Sequence, residues 1–157
     1  MKYYIFAFFL YINTSIIAQT VKLEQLYGRW QNKSSSVSAG SLDTYRFYSD
    51  GRFIFDLSEY DGSKRIIAIK GHYRLSCDTI FFKVEYTTEL LDGEVVRDIE
   101  NTEHGSWSIQ GKVKVVDIKQ PQSCESFAII KICMDKSDVS CILLDRDKYF
   151  RINKNSD

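Results

Sequence analysis

Few residue types carry covalent or acid–base chemistry, and this chain is sparing with them. It has two histidines, His72 and His104, and four cysteines, Cys77, Cys124, Cys133 and Cys141. An imidazole that moves a proton or binds a metal needs a carboxylate or a second imidazole at its side. His72 falls on a strand at the parity opposite Tyr73, a solvent-facing position, and His104 lies in the turn-like stretch Asn101-Thr102-Glu103-His104-Gly105. Asp50, Asp61, Asp78 and Asp92 stand in turn signals, where Asp caps backbone groups. There is no C-x-x-C pair for zinc, no G-x-S-x-G elbow, and no phosphate or dinucleotide loop. The expectation is therefore a protein that is not an enzyme, with no catalytic residue, no metal ligand and no cofactor.

The cysteines suit a different chemistry. An even number in an exported chain suggests disulfides, and four allow three pairings. Cys133 and Cys141 flank Met134 to Ser140, which reads as a turn between two strands, so they are the favoured pair. That leaves Cys77 with Cys124; four free thiols are the alternative. Export itself is expected from the first residues. Lys2 is followed by an apolar run from Tyr3 to Ile12, then by polar Asn13-Thr14-Ser15 and Ile16-Ile17-Ala18. A basic start, an apolar stretch and a small residue make a cleavable signal peptide over 1–18. The run is shorter than the ~20 residues that cross a bilayer, so no transmembrane segment is expected after processing. A single domain over 19–157, secreted or periplasmic, follows. Asn32-Lys33-Ser34 fits a glycosylation sequon.

Lysine plus arginine and aspartate plus glutamate both number 21. A balanced charge gives no electrostatic reason for a nucleic-acid partner.

The elements that must position these residues are strands. A short helical turn is expected near Val21 to Leu26, with Leu23 and Leu26 on one face. Beyond it the apolar residues recur with period two. Asp43 to Tyr48 and Arg52 to Leu57 flank Asp50-Gly51, a hairpin dipeptide. Further strands are read at Lys64 to Leu75, Thr79 to Tyr86, Glu94 to Glu100, His104 to Gln110, Val113 to Ile118, Phe127 to Ile132, Ile142 to Leu144 and Tyr149 to Ile152, with Asp92-Gly93 as another turn. Pro121 is the only proline, which suits long paired strands. About eight to ten short strands with regular turn signals mark an all-β antiparallel barrel or sandwich.

Leu26-Tyr27-Gly28-Arg29-Trp30 after a helical turn, the hairpin Tyr45 to Phe53, and Gly71-His72-Tyr73-Arg74-Leu75 followed by Asp78-Thr79-Ile80-Phe81-Phe82 together resemble the bacterial lipocalin-like secreted domains. The resemblance implies a single antiparallel lipocalin-like barrel. It implies that Gly28 and Trp30 open the first strand and that Trp30 packs under a late basic side chain, Arg151 first and Arg146 second. The stretch from 94 to 118 and the late cysteines are departures from the pattern.

Inward parity is assigned to Tyr45, Phe47, Phe53, Phe55, Tyr73, Phe82, Tyr86 and Trp107. Plain core packing explains such residues. A calyx does too, with Tyr45, Phe47, Phe55, Tyr73, Tyr86 and Trp107 lining a ligand site. Two functions are carried forward. One is a lipocalin-like binding protein for a small hydrophobic or amphipathic molecule. The other is a protein-binding module, such as an inhibitor of a secreted hydrolase or a surface-assembly factor, for another secreted protein. The polar loop Ser34 to Ser41 would serve either.

Overall fold

A computed structural model describes residues 21–33, 42–58, 63–98, 106–134 and 139–152. The expected signal peptide over 1–18, the loop from Ser34 to Ser41, Asp61 and His104 lie outside these residues. Among the described residues a 3-10 turn, Leu23–Gln25, precedes eight strands: β1 Gly28–Asn32, β2 Thr44–Phe47, β3 Arg52–Asp56, β4 Ile66–Ser76, β5 Thr79–Asp98, β6 Ser106–Met134, β7 Ser140–Leu144 and β8 Asp147–Ile152. Each pairs antiparallel with the next, and β8 returns to β1, so the sheet closes as a barrel. The described residues include no helix long and apolar enough to cross a membrane.

Local chemistry explains the early strands. Gly51 takes φ +82 in the β2–β3 turn, and Asp50 accepts a hydrogen bond from the Arg52 backbone N–H, as an Asp-Gly hairpin requires. Phe47, Phe53, Tyr73, Ile80, Phe82, Ile130, Ile142, Leu144 and Tyr149 are buried in one core. Trp30 is 1% exposed. Its indole N–H donates to the Leu26 carbonyl at 2.7 Å, and the Arg151 guanidinium sits 4.7 Å from its ring. Arg151 also donates to the carbonyls of Gln25 and Tyr27. One cation thus joins the last strand, the first strand and the 3-10 turn.

The middle of the chain departs from expectation. Asp92-Gly93 is no turn: both residues have positive φ, 63 and 70, yet the strand continues through them. They form a bulge in β5 opposite Gly111 and Lys112, so the separate strands expected between 94 and 132 merge into the second half of β5 and all of β6. Past Leu90 these two strands leave β4 behind and run on as a two-stranded ribbon. Arg65 holds its base, donating to the carbonyls of Leu90, Asp92 and Gly93.

A second bulge, at Glu85, inverts the parity of β5. Gly71 pairs with Val84 while Lys70 pairs with Tyr86. The strands come so close that a Cβ on Gly71 would stand 2.0 Å from the Lys83 carbonyl oxygen, and glycine alone allows this approach. Ile80, Phe82 and Val84 face inward before the bulge. After it Tyr86 turns outward and is 38% exposed.

Cys133 and Cys141 lie directly across β6 and β7 and are disulfide-bonded, with Cα atoms 4.9 Å apart. Cys77 and Cys124 are free and exposed, which corrects the expected second bridge. Cys77 is in the β4–β5 turn, whereas Cys124 pairs with Val84, five residues along β5 from Thr79. At ~3.4 Å per residue that places them on the order of 15 Å apart, beyond the ~7 Å that a disulfide spans.

Candidate functional site

Four of the expected ligand-lining residues come together inside the barrel, and they fill it with one another. Tyr45 lies 4.4 Å from Phe55, 5.4 Å from Phe47 and 5.6 Å from Phe82, centroid to centroid. Tyr149 meets Tyr45 edge-on at 5.2 Å, and Tyr73 meets Phe47 at 5.0 Å. These are contact distances for stacked and edge-to-face rings. The Tyr73 hydroxyl donates to the Tyr48 carbonyl, so this polar atom already serves the fold. Tyr86 and Trp107 stand apart from this group. Trp107 is on the ribbon, 52% exposed, with the Arg97 guanidinium 5.9 Å from its ring. Neither has the inward parity expected of it: the Glu85 bulge turns Tyr86, and Trp107 lies beyond the barrel.

Burial, then the nearby Asp43, Asp147 and Asp145 carboxylates, push the Tyr45 hydroxyl up to about 12. Burial, then Tyr27 and Asp50, do the same to Tyr73. A folded-state value above the usual tyrosine pKa of about 10 means stability that is complete below pH 10 and lost as pH rises toward 12. For Tyr45 this is on the order of 2–3 kcal/mol. A titration of phenolate absorbance should show a late class of tyrosines that ionises near pH 12 together with loss of near-ultraviolet dichroism. Ionisation of every tyrosine near pH 10 with the fold intact would contradict a closed aromatic interior.

On the outside of the barrel, β1 to β5 form a cleft of about 650 Å³. Its floor comes from outward-facing positions of three strands, Thr44 on β2, Ile54 on β3 and Ala68 on β4, with Thr44 and Ala68 themselves buried. Leu42, Leu57, Ile66 and Leu90 form apolar sides. Charge enters through Arg29, Arg46, Lys64 and Lys70 against a single lining carboxylate, Asp56. Asp56 receives two hydrogen bonds from Arg46, the shorter 2.6 Å. Partial burial works against the Arg46 charge, but the hydrogen bond and charge of Asp56 prevail and raise its pKa. Lys70 binds Asp117 at 2.8 Å. That bond, with another from Thr88, holds the Asp117 carboxyl below its usual range. Neither Arg29 nor Lys64 has a carboxylate partner among the described residues. The cleft therefore combines an apolar floor, hydroxyls at Thr44 and Thr88, and uncompensated positive charge.

The period-two reading missed this site because it followed inward positions. The signal was present at the other parity. Ile54, Ile66 and Ala68 are apolar side chains at outward positions of neighbouring strands, where a solvated sheet face would be polar.

His72 is exposed, with Nδ1 3.1 Å from Glu85 Oε2, and is not among the cleft residues. Among the described residues no group of three or more His, Cys, Asp or Glu side chains could hold a metal ion. Compared with known protein families, with curated proteins and with solved structures, the chain matches none.

Proposed function

We propose that this chain is a non-enzymatic, lipocalin-like binding protein for a small amphipathic molecule, exported from the cytoplasm, and that the molecule is held in the outer cleft. The observation that carries this reading is the pairing of apolar Ile54, Ala68 and Ile66 with Arg29 and Lys64, cations that have no carboxylate partner among the described residues. A ligand site of this volume that sets apolar side chains beside charged ones suits a small amphipathic molecule. The closed eight-stranded barrel and the stack of Arg151 on Trp30 support the lipocalin-like comparison. The Cys133–Cys141 disulfide suits an oxidising compartment. Binding rather than catalysis is favoured because the cleft's titratable groups are cations and one carboxylate already held by Arg46. Such groups fix charge and are poorly placed to move a proton.

A second reading, a module that binds another secreted protein, draws support from the ribbon, where Val95, Val115 and Trp107 are exposed. Exposed apolar patches mark interaction surfaces.

Anilinonaphthalene sulfonate, an anionic apolar dye, tests the first reading. The Arg29→Glu, Lys64→Glu double variant should weaken its binding roughly tenfold or more, since each reversal turns an attraction of up to about 1 kcal/mol into a repulsion. Phe55→Leu, inside the barrel, should leave binding unchanged. Equal binding to parent and double variant would refute the cleft as the site.

A further inference from the structure

The apolar side of the cleft does not stop at the barrel. Leu90 lines the cleft and pairs directly with Val115, and two residues on Asp92 pairs with Val113. Side chains alternate along a strand, so Leu90, Val115 and Val113 share one face. At the bulge, a Cβ on Gly93 would stand 2.8 Å from Ile109 Cγ2 and 3.1 Å from Val113 Cγ2. Ile109 therefore lies over the bulge beside Val113, and its partner Val95 continues the same face. The opposite face mixes Glu94, Gln110, Ser108 and Lys114 with its apolar residues. Val115 is 63% exposed. A two-stranded ribbon is marginal by itself in water and gains from a cover on its apolar face. Charge along this strip is lopsided: Lys64, with no carboxylate partner among the described residues, stands two residues before Ile66 at the ribbon end of the cleft, while Asp92, the cross-strand partner of Val113, is engaged by Lys114 at 3.4 Å.

We propose that cleft and ribbon form one elongated site for a single-chain anionic amphiphile. Its head group lies at Lys64, and its hydrocarbon tail runs over Ile66, Leu90, Val115 and Val113. The proposal rests on the reading of the cleft as the ligand site and adds the shape and charge of what it takes. A compact ligand would occupy the cleft and leave the strip bare. A cationic amphiphile would meet repulsion at the head.

Competition against the sulfonate dye tests this with hexanoate, octanoate, decanoate and dodecanoate below their micelle concentrations, and with dodecyltrimethylammonium as the charge-reversed control. Affinity should rise roughly two- to fourfold per methylene along the series, the upper figure corresponding to full burial. Val115→Lys and the near-isosteric Val113→Thr should each flatten that rise while hexanoate and the dye bind as before. Lys64→Glu should weaken every chain length by a similar factor. Dodecanoate binding no tighter than hexanoate, with the dye still held in the cleft, would overturn the elongated site and leave the cleft reading standing. Dodecyltrimethylammonium binding as well as dodecanoate would overturn the assignment of the head group. Failure of the dye and every alkanoate to bind would overturn both.

Discussion

Trp30→Ala lowers the stability of the protein by about 3–5 kcal/mol, the usual cost of truncating a buried tryptophan. Three losses act together. The indole is almost wholly buried, so its removal leaves a cavity in the core. The Leu26 carbonyl loses its donor, and a buried acceptor left without one costs about 1–3 kcal/mol, part of the same total. Arg151 loses the ring beneath it. A domain of this size has only ~5–15 kcal/mol in all, so the variant should melt many degrees lower or fail to fold. Trp107→Ala should melt within a few degrees of the parent, because Trp107 is half exposed on the ribbon. Urea denaturation of both variants checks the contrast. If Trp107→Ala unfolds while Trp30→Ala resembles the parent, the Gly28-Arg29-Trp30 opening has been misassigned.

Phe82→Ala should be comparably costly, about 3–5 kcal/mol. Its ring is buried where β5 crosses the middle of the barrel, 5.0 Å from Phe53, 5.6 Å from Tyr45 and 6.2 Å from Phe47. Three aromatic side chains on two strands therefore lose a neighbour at once. The hole would be apolar, and such cavities stay dry and admit benzene-sized molecules. Benzene should raise the melting temperature of Phe82→Ala and leave the parent unaffected. Stabilisation of the parent by benzene would show room inside the barrel that the ring contacts do not leave.

The same dipeptide shows how far local signals reach. Asp50-Gly51 and Asp92-Gly93 both supply positive φ, and both read as turns. At Gly51 the chain reverses into β3. At Gly93 the partner strand carries its own extra residues, Gly111 and Lys112, so the ladder absorbs the irregularity as a bulge. Nothing within a few residues of Asp92 distinguishes these outcomes; the difference is long-range pairing. Parity fails for the same reason at Tyr86, where one inserted residue at Glu85 reverses every later side chain. Trp30, by contrast, was legible, since its surroundings come from a nearby helical turn and a strand whose alternation is unbroken. The Cys133–Cys141 bridge was legible because a short hairpin brings both residues opposite each other. The outer cleft was not: its walls come from five strands, and each contributes only one or a few outward residues that look ordinary in isolation.

The account's central claim is that binding takes place on the outside of the barrel and not among its aromatic rings. Nuclear magnetic resonance of the labelled protein titrated with dodecanoate tests it most directly. The amides of Thr44, Ile54, Ala68, Thr88 and Leu90 should shift together and saturate, with the ring signals of Tyr45, Phe47 and Phe82 unmoved. Saturable shifts confined to those interior rings, with the cleft amides silent, would contradict it.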